Sequence, residues 1–246
     1  MRSCFLLLLL PACATRGRTM IAPPCVVDRD GIVVRAEYVE EAERLVGDYV
    51  DLDRRVRDML GVHSPPTPEI WLMEEEFGET VNGLSGFTPP IVCLERGHHD
   101  NRQVVAHELS HHYQRRWPAR LPTVVDEGLA DLVAGMARDQ LEEVRERHYH
   151  TLRRTRVQSI DHVLELPAED FEEIPHLWGS RAVRSVGFAI VDKLGVDGLL
   201  QMCQRANALD LDAVPSDWFE PVWSAVASRS FQQKEIPPGL EVVTLL

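Results

Sequence analysis

The stretch Val104-Val105-Ala106-His107-Glu108-Leu109-Ser110-His111-His112-Tyr113 constrains this chain more than any other. It carries the pattern His-Glu-x-x-His. On a helix, residues four apart lie one above the other on the same face. His107 and His111 can then offer ring nitrogens to one metal ion, and Glu108 lies beside that face, within reach of a water on the ion. Two imidazole ligands and an adjacent carboxylate base are the residue types that zinc-assisted hydrolysis requires. Five residues are a short pattern, however, in a chain with 10 histidines among 246 residues. The pattern gains weight only with a helix beneath it, a third ligand and a suitable compartment.

The helix is legible. Asp100 is a natural N-cap, and Gln103 three residues on fits a capping-box variant. Val105, Leu109 and His112 or Tyr113 form a face toward a core, with His107, Glu108 and His111 on the other side. Trp117-Pro118 ends the run. His112 points about 100° away from His111 and reads as a packing or surface histidine.

A catalytic zinc site generally takes three protein ligands and keeps one position for water. Leu121-Pro122-Thr123-Val124-Val125-Asp126-Glu127-Gly128-Leu129-Ala130-Asp131-Leu132-Val133 reads as the start of a second helix, which Thr123 can cap with Asp126 three residues on. Glu127 is the best third ligand: residues 112–126 leave room for a turn and an antiparallel return. Asp126 is its main rival, because the helix phase is not fixed by sequence. Asp131 lies one turn after Glu127 on the same face. It is placed to accept a hydrogen bond from the free ring nitrogen of a metal-bound histidine.

Around this pair the chain changes character. Gly31-Ile32-Val33-Val34-Arg35, Glu69-Ile70-Trp71-Leu72-Met73 and Pro90-Ile91-Val92-Cys93-Leu94 read as strands, the last at a sheet edge because a proline starts it. Tyr38, Ala42, Leu45, Val46, Tyr49, Val50, Val56, Met59 and Leu60 recur at helical spacing over about 37–60, closed by Gly61. Beyond the two central helices the chain is mostly helical: a charged, solvated helix over 137–156, a helix pair over 180–206 interrupted at Gly195, and an amphipathic helix over 216–229. His98-His99 read as loop residues and Glu74-Glu75-Glu76 as a solvated turn. The expected fold is α+β: a small mixed sheet packed on the helix of the motif, then a mainly helical C-terminal part.

Apolar content of 44% and charged content of 26% suit one soluble domain. A formal net charge of −13 argues against nucleic acid as a partner and against an electrostatic grip on anionic lipid. Met1-Arg2-Ser3-Cys4, the apolar run 5–10 and Pro11-Ala12-Cys13 read as a secretory signal, too short to span a bilayer. Leu10-Pro11-Ala12-Cys13 also resembles a bacterial lipobox, although proline is not the preferred residue at its place. The expectation is export to a bacterial cell envelope, in periplasm or outer membrane. Residues 1–12 would be the signal peptide, 13–29 a tether lipidated at Cys13, 30–229 the domain and 230–246 a tail. A membrane would be a partner only through that lipid. Of the 5 cysteines, Cys25, Cys93 and Cys203 would remain in the mature domain, where one disulfide of undetermined pairing is possible. The oligomeric state is not legible.

His107-Glu108-x-x-His111 followed by Glu127-Gly128-Leu129-Ala130-Asp131 resembles the gluzincin zinc metallopeptidases, and more closely the peptidase MA-like domains of many bacterial proteins. Leu121-Pro122 with Glu127-Gly128-Leu129-Ala130 fits that family's third-ligand stretch, and Val186 to Gly195 looks like its C-terminal helix. The resemblance covers about 31–226 and is closest over 104–133. It implies a zincin-like fold, Zn2+ held by His107, His111 and Glu127, Glu108 as general base, a zinc-bound water as nucleophile and a peptide or protein substrate. It also implies that the strand at 90–94 is the edge along which an extended peptide lies. The sequence departs from the family in having no tyrosine over 176–194 to stabilise an oxyanion. Tyr149, His148, His150, His176 and Arg181 are candidates without spacing support. The departure motivates a rival reading, a catalytically weak or inactive envelope protein that keeps the fold as a binding or scaffolding module.

Overall fold

The computed structural model describes residues 21–63, 66–74, 83–85, 90–95, 97–155 and 177–230. Within them the chain is α+β. Five strands, β1 (Cys25–Arg29), β2 (Ile32–Ala36), β3 (Glu69–Leu72), β4 (Gly83–Ser85) and β5 (Ile91–Leu94), form one sheet in the order β1-β2-β3-β5-β4. The three central strands run parallel, and β1 and β4 pair antiparallel at the two edges. Helices α1 (Val39–Leu60), α2 (Arg102–Gln114), α3 (Thr123–Ala137), α4 (Leu141–Thr155), α5 (Leu177–Ala208) and α6 (Glu220–Ser230) make up most of the rest, with a 3-10 turn at Ser216–Phe219. Among the described residues no helix is long and apolar enough to cross a membrane.

Two expectations about the sheet are corrected. The span read as a tether to residue 29 contains β1, whose register runs from Cys25 opposite Ala36 to Arg29 opposite Ile32. Asp30-Gly31, both at positive φ, make the two-residue turn that closes this hairpin, a turn for which Asp-Gly is well suited. The strand at 91–94 is not an edge. Pro90 lies outside it and lends only its carbonyl, to Glu69 N at 3.1 Å, so nothing prevents β5 from pairing on both sides. The edge is β4.

Alternation of side chains divides the sheet. Ile32, Val34, Ala36, Ile70, Leu72, Val92 and Leu94 join the main core with the helices, whereas Trp71, Met73, Ile91 and Cys93 form a smaller buried cluster. The main core also takes Ala42, Leu45, Val46, Tyr49, Leu52, Val56 and Leu60 from α1, which fits the helical periodicity over 37–60. Gly61 ends α1 at φ 67°, its amide and that of Val62 returning to the last turn, as a left-handed glycine permits. The loop before α2 is tied to this scaffold. Buried His99 meets Glu41 Oε1 through Nδ1 at 2.8 Å and donates to Met73 O through Nε2 at 3.0 Å, and its carbonyl accepts from Tyr49 Oη.

The helix pair expected over 180–206 is present within α5, which is two helices joined at a kink where Gly195 leaves helical geometry (φ 71°, ψ 168°). The helix expected over 137–156 starts at Leu141 and is only partly solvated: Val144, His148 and Leu152 are buried. Cys25, Cys93 and Cys203 are free thiols, so the disulfide that the sequence allowed among them does not form. Burial pushes the thiols of Cys93 and Cys203 up to about 12 and about 11. The signal segment, Cys13 and the tail beyond 230 lie outside the described residues.

Candidate metal centre

Two helices and a crossing build the site. Helix α2 is capped one residue later than the sequence suggested: Asn101, not Asp100, accepts from Gln103 N at 3.1 Å and Val104 N at 3.5 Å. Its apolar face is the expected one, with Val105, Leu109 and Tyr113 fully buried. Helix α3 has no side-chain cap. Thr123 is its first residue, and Pro122 O takes the amides of Val125 and Asp126, both at 2.9 Å. The chain turns back between 115 and 122, and α3 packs across the front of α2.

That packing brings three ligand-type atoms together. His107 Nε2 and His111 Nε2 lie 3.1 Å apart. Glu127 reaches both, with Oε2 at 3.4 Å from His107 Nε2 and Oε1 at 3.3 Å from His111 Nε2. Donors on one small tetrahedral cation, with bonds of ~2.0–2.1 Å, are about 3.3 Å apart. Among the described residues, His107, His111 and Glu127 form the one group able to hold a metal ion.

The other ring nitrogens fix which lone pairs face inward. His107 Nδ1 lies 3.0 Å from Asp131 Oδ1, and His111 Nδ1 lies 2.9 Å from Asp126 Oδ2. A carboxylate only accepts, so each Nδ1 carries a proton. In the neutral rings both Nε2 lone pairs then point at each other and at Glu127. Without a cation, four acceptor atoms would face one another across about 3 Å. The donor chemistry therefore fits a divalent ion. Asp126, the rival third ligand, takes a different place: one residue is 100° of helix, which sends Glu127 to the Nε2 side and Asp126 to the Nδ1 of His111.

Charge explains the protonation of the metal-free site. Burial alone would lower the His107 imidazolium, but the hydrogen bonds and charges of Asp131 and Glu127 raise it to about 9. His111 is likewise disfavoured by burial and held well above its usual value by Asp126 and Glu127. Burial would raise the carboxyls of Glu127 and Asp131. Arg184 and the two histidines hold Glu127 well below the carboxylate range, and His107 and His148 do the same for Asp131. Protons can thus stand in for the absent positive charge.

Glu108 is 8% exposed. It is close enough to Cys93 and Arg184 for its charge to raise both. His112, expected to be a bystander, is buried and packs away from the cluster, its Nε2 at 3.2 Å from Pro66 O. Of the loosely placed candidates, Tyr149 bonds Asp192 at 3.2 Å, His150 and Arg181 are exposed, and His176 lies outside the described residues. His148 extends the network instead: Nε2 is 3.2 Å from Asp131 Oδ2, and Nδ1 is 3.0 Å from Ser185 Oγ.

Arg184 is the residue that sequence reasoning missed. It stands on α5, and its Nη2 is 2.8 Å from Glu127 Oε2. The signal that could have found it is a pair of glycines. A Cβ on Gly128 would lie 2.2 Å from Gly187 C, and one on Gly187 would lie 1.8 Å from Val124 O. Only glycine at both positions lets α3 and α5 touch backbone to backbone. Arg184 is one turn before Gly187, as Glu127 is next to Gly128.

Compared with known proteins, the chain matches no family model and none of the curated proteins.

Proposed function

We propose that this chain is a zinc-dependent metallopeptidase of the gluzincin type with a zincin-like fold, and that His107, His111 and Glu127 hold its Zn2+. The observation that carries this reading is the convergence of His107 Nε2, His111 Nε2 and Glu127 with both Nδ1 atoms already engaged by carboxylates. With both Nδ1 protons held by carboxylates, the two Nε2 atoms and Glu127 share one small space that a cation, or protons in its place, must neutralise. Metal ligands oriented by carboxylates on their far nitrogens are a recurrent feature of metal sites. The order of a mixed sheet, the motif helix and a following helix with the third ligand also suits the family that the sequence resembles.

Zinc held there would supply Lewis acidity to a water and to the substrate carbonyl. The residues do the rest. Asp131 and Asp126 keep the two Nδ1 protons in place, so the ligand lone pairs stay aimed inward. Glu108 accepts a proton from the attacking water as the new C–O bond forms. It then passes that proton to the amine nitrogen as the C–N bond breaks. The sheet edge on which an extended peptide can add as a further strand is β4, one strand beyond the place the sequence suggested. Export and lipidation at Cys13 are proposed on the sequence alone, and loss of palmitate labelling in Cys13→Ala tests them.

The functional test pairs zinc analysis with a broad peptide-cleavage screen of the wild type and Glu108→Gln. The wild type should bind zinc and cleave. Glu108→Gln should keep its zinc and lose about 10²–10⁴-fold in turnover, the usual worth of a general base. A metal-free, fully folded protein with a partner interaction that Glu108→Gln leaves intact would favour the binding-module reading.

A further inference from the structure

We infer that Arg184 is a catalytic residue of the proposed hydrolysis: its guanidinium pairs with Glu127 on one side, and its free N–H groups receive the substrate's carbonyl oxygen as it becomes an oxyanion. The inference rests on the metallopeptidase reading above and adds a residue to it. Three observations point the same way. Nη2 lies 2.8 Å from Glu127 Oε2, so the guanidinium borders the metal-ligating atoms directly. Among the described residues, Arg184 is the one Lys or Arg paired with any member of the cluster formed by Glu108, Asp126, Glu127 and Asp131. The side chain keeps 40% of its surface exposed while its partner Glu127 keeps 17%, so Arg184 lies between the buried ligands and the protein surface.

The chemistry follows from the shape of the group. A guanidinium carries five N–H donors in a rigid fork and accepts nothing. The ion pair with Glu127 occupies one corner of the fork and leaves donors for a neighbouring oxygen. As water adds to the peptide carbonyl, its proton goes to Glu108, the C–O bond forms and the carbonyl electron pair moves onto oxygen. That oxygen bears a full negative charge until the C–N bond breaks and the proton on Glu108 leaves with the amine. A fixed cation beside it stabilises the transition state more than the ground state. The close backbone contact of Gly128 with Gly187 keeps the fork in place, because it leaves the two helices no room to slide.

The test uses the zinc-loaded full chain with Arg184→Met and Arg184→Lys, and three readouts: zinc affinity by chelator competition, kcat and KM for a cleaved peptide, and calorimetric affinity for a phosphinic peptide, a stable tetrahedral anion. Arg184→Met should lower kcat about 10²–10³-fold, the typical effect of one lost oxyanion donor, with KM changed less than about 3-fold. The phosphinic peptide should weaken by a similar factor, and Arg184→Lys should recover part of both losses. If Arg184→Met instead weakens zinc while turnover per bound zinc and phosphinic-peptide affinity stay at wild-type values, Arg184 only props Glu127 and the inference falls alone. A zinc-loaded wild type that cleaves no peptide and binds no phosphinic peptide overturns the metallopeptidase reading, and this inference with it. Arg184→Lys supplies the same comparison if the methionine variant does not fold.

Discussion

Helix α2 has a buried polar cluster on each side, and the two are built on opposite principles. Behind the helix, Asp53 is 1% exposed. It accepts from Tyr113 Oη through Oδ1 and pairs with Arg57 Nη2 at 2.7 Å through Oδ2. Each of its two oxygens thus has a donor from within the fold. In front, His107, His111 and Glu127 aim acceptors at one another, and their donors are turned outward to Asp126 and Asp131. A buried acid whose partners lie within the fold holds that fold together; ligand-type atoms that converge while their far nitrogens are already engaged are arranged to take a cation, or protons in its place. The same helix thus separates a structural network from a functional one, although both contain a buried acid and an aromatic or imidazole ring.

Mutations on the two sides should have different consequences. The largest effect is expected in front: His111→Ala should abolish stoichiometric zinc binding and peptide cleavage together. At neutral pH it should also cost the metal-free protein some stability, because it removes the imidazolium that Asp126 and Glu127 hold. That loss should shrink as the pH rises through the folded-state titration of the ring; a large loss independent of pH would make the front cluster structural after all and erase the contrast. Next in size is the crossing that joins α3 to α5. Gly187→Ala places a Cβ 1.8 Å from Val124 O, and forcing the helices apart should cost about 3 kcal/mol or more by chemical denaturation. Zinc-loaded activity should fall in the molecules that still fold, since Arg184 moves with α5.

Asp131→Asn should weaken zinc about 10–100-fold, the usual cost of losing a carboxylate behind a histidine ligand, as read by chelator competition. Behind the helix, Tyr113→Phe leaves Asp53 with one donor fewer and should cost about 1–3 kcal/mol of stability, with zinc affinity unchanged. If Tyr113→Phe changed zinc affinity as much as Asp131→Asn does, the two clusters would be one network. The smallest response is expected from the thiols. Cys93 and Cys203 are buried, with thiols pushed up to about 12 and about 11, and the thiolate is the reactive form. Of the thiols at 25, 93 and 203, a thiol reagent at pH 8 should therefore label Cys25 alone in the native protein. Labelling of Cys93 would mean that the sheet side of Glu108 opens to solvent.

The front cluster was the more legible of the two in the sequence. His107, Glu108 and His111 follow from a spacing that one helix enforces, and Glu127 and Asp131 from the length of the return. The choice between Asp126 and Glu127 was not legible, because it depends on a rotation of 100° that only packing of α3 on α2 sets. The back cluster was not visible at all: Asp53 and Tyr113 are 60 residues apart, and neither looks unusual locally. Arg184 was hidden for the same reason, and the nearest sequence clue, a glycine in the middle of a helix, acquires its meaning only when Gly128 is seen against it. In the sheet, β4 and β1 were missed because short edge strands carry little periodicity, and hiding β4 turned β5 into an apparent edge.

X-ray absorption at the zinc edge, on the purified chain loaded with zinc, addresses the central claim most directly. One zinc per chain should appear with nitrogen and oxygen neighbours at about 2.0–2.1 Å and the outer-shell signature of two imidazoles, reduced to one in any zinc that His107→Ala retains. A folded wild type that takes up no zinc at saturation, or one whose zinc is bound by sulfur, would contradict it.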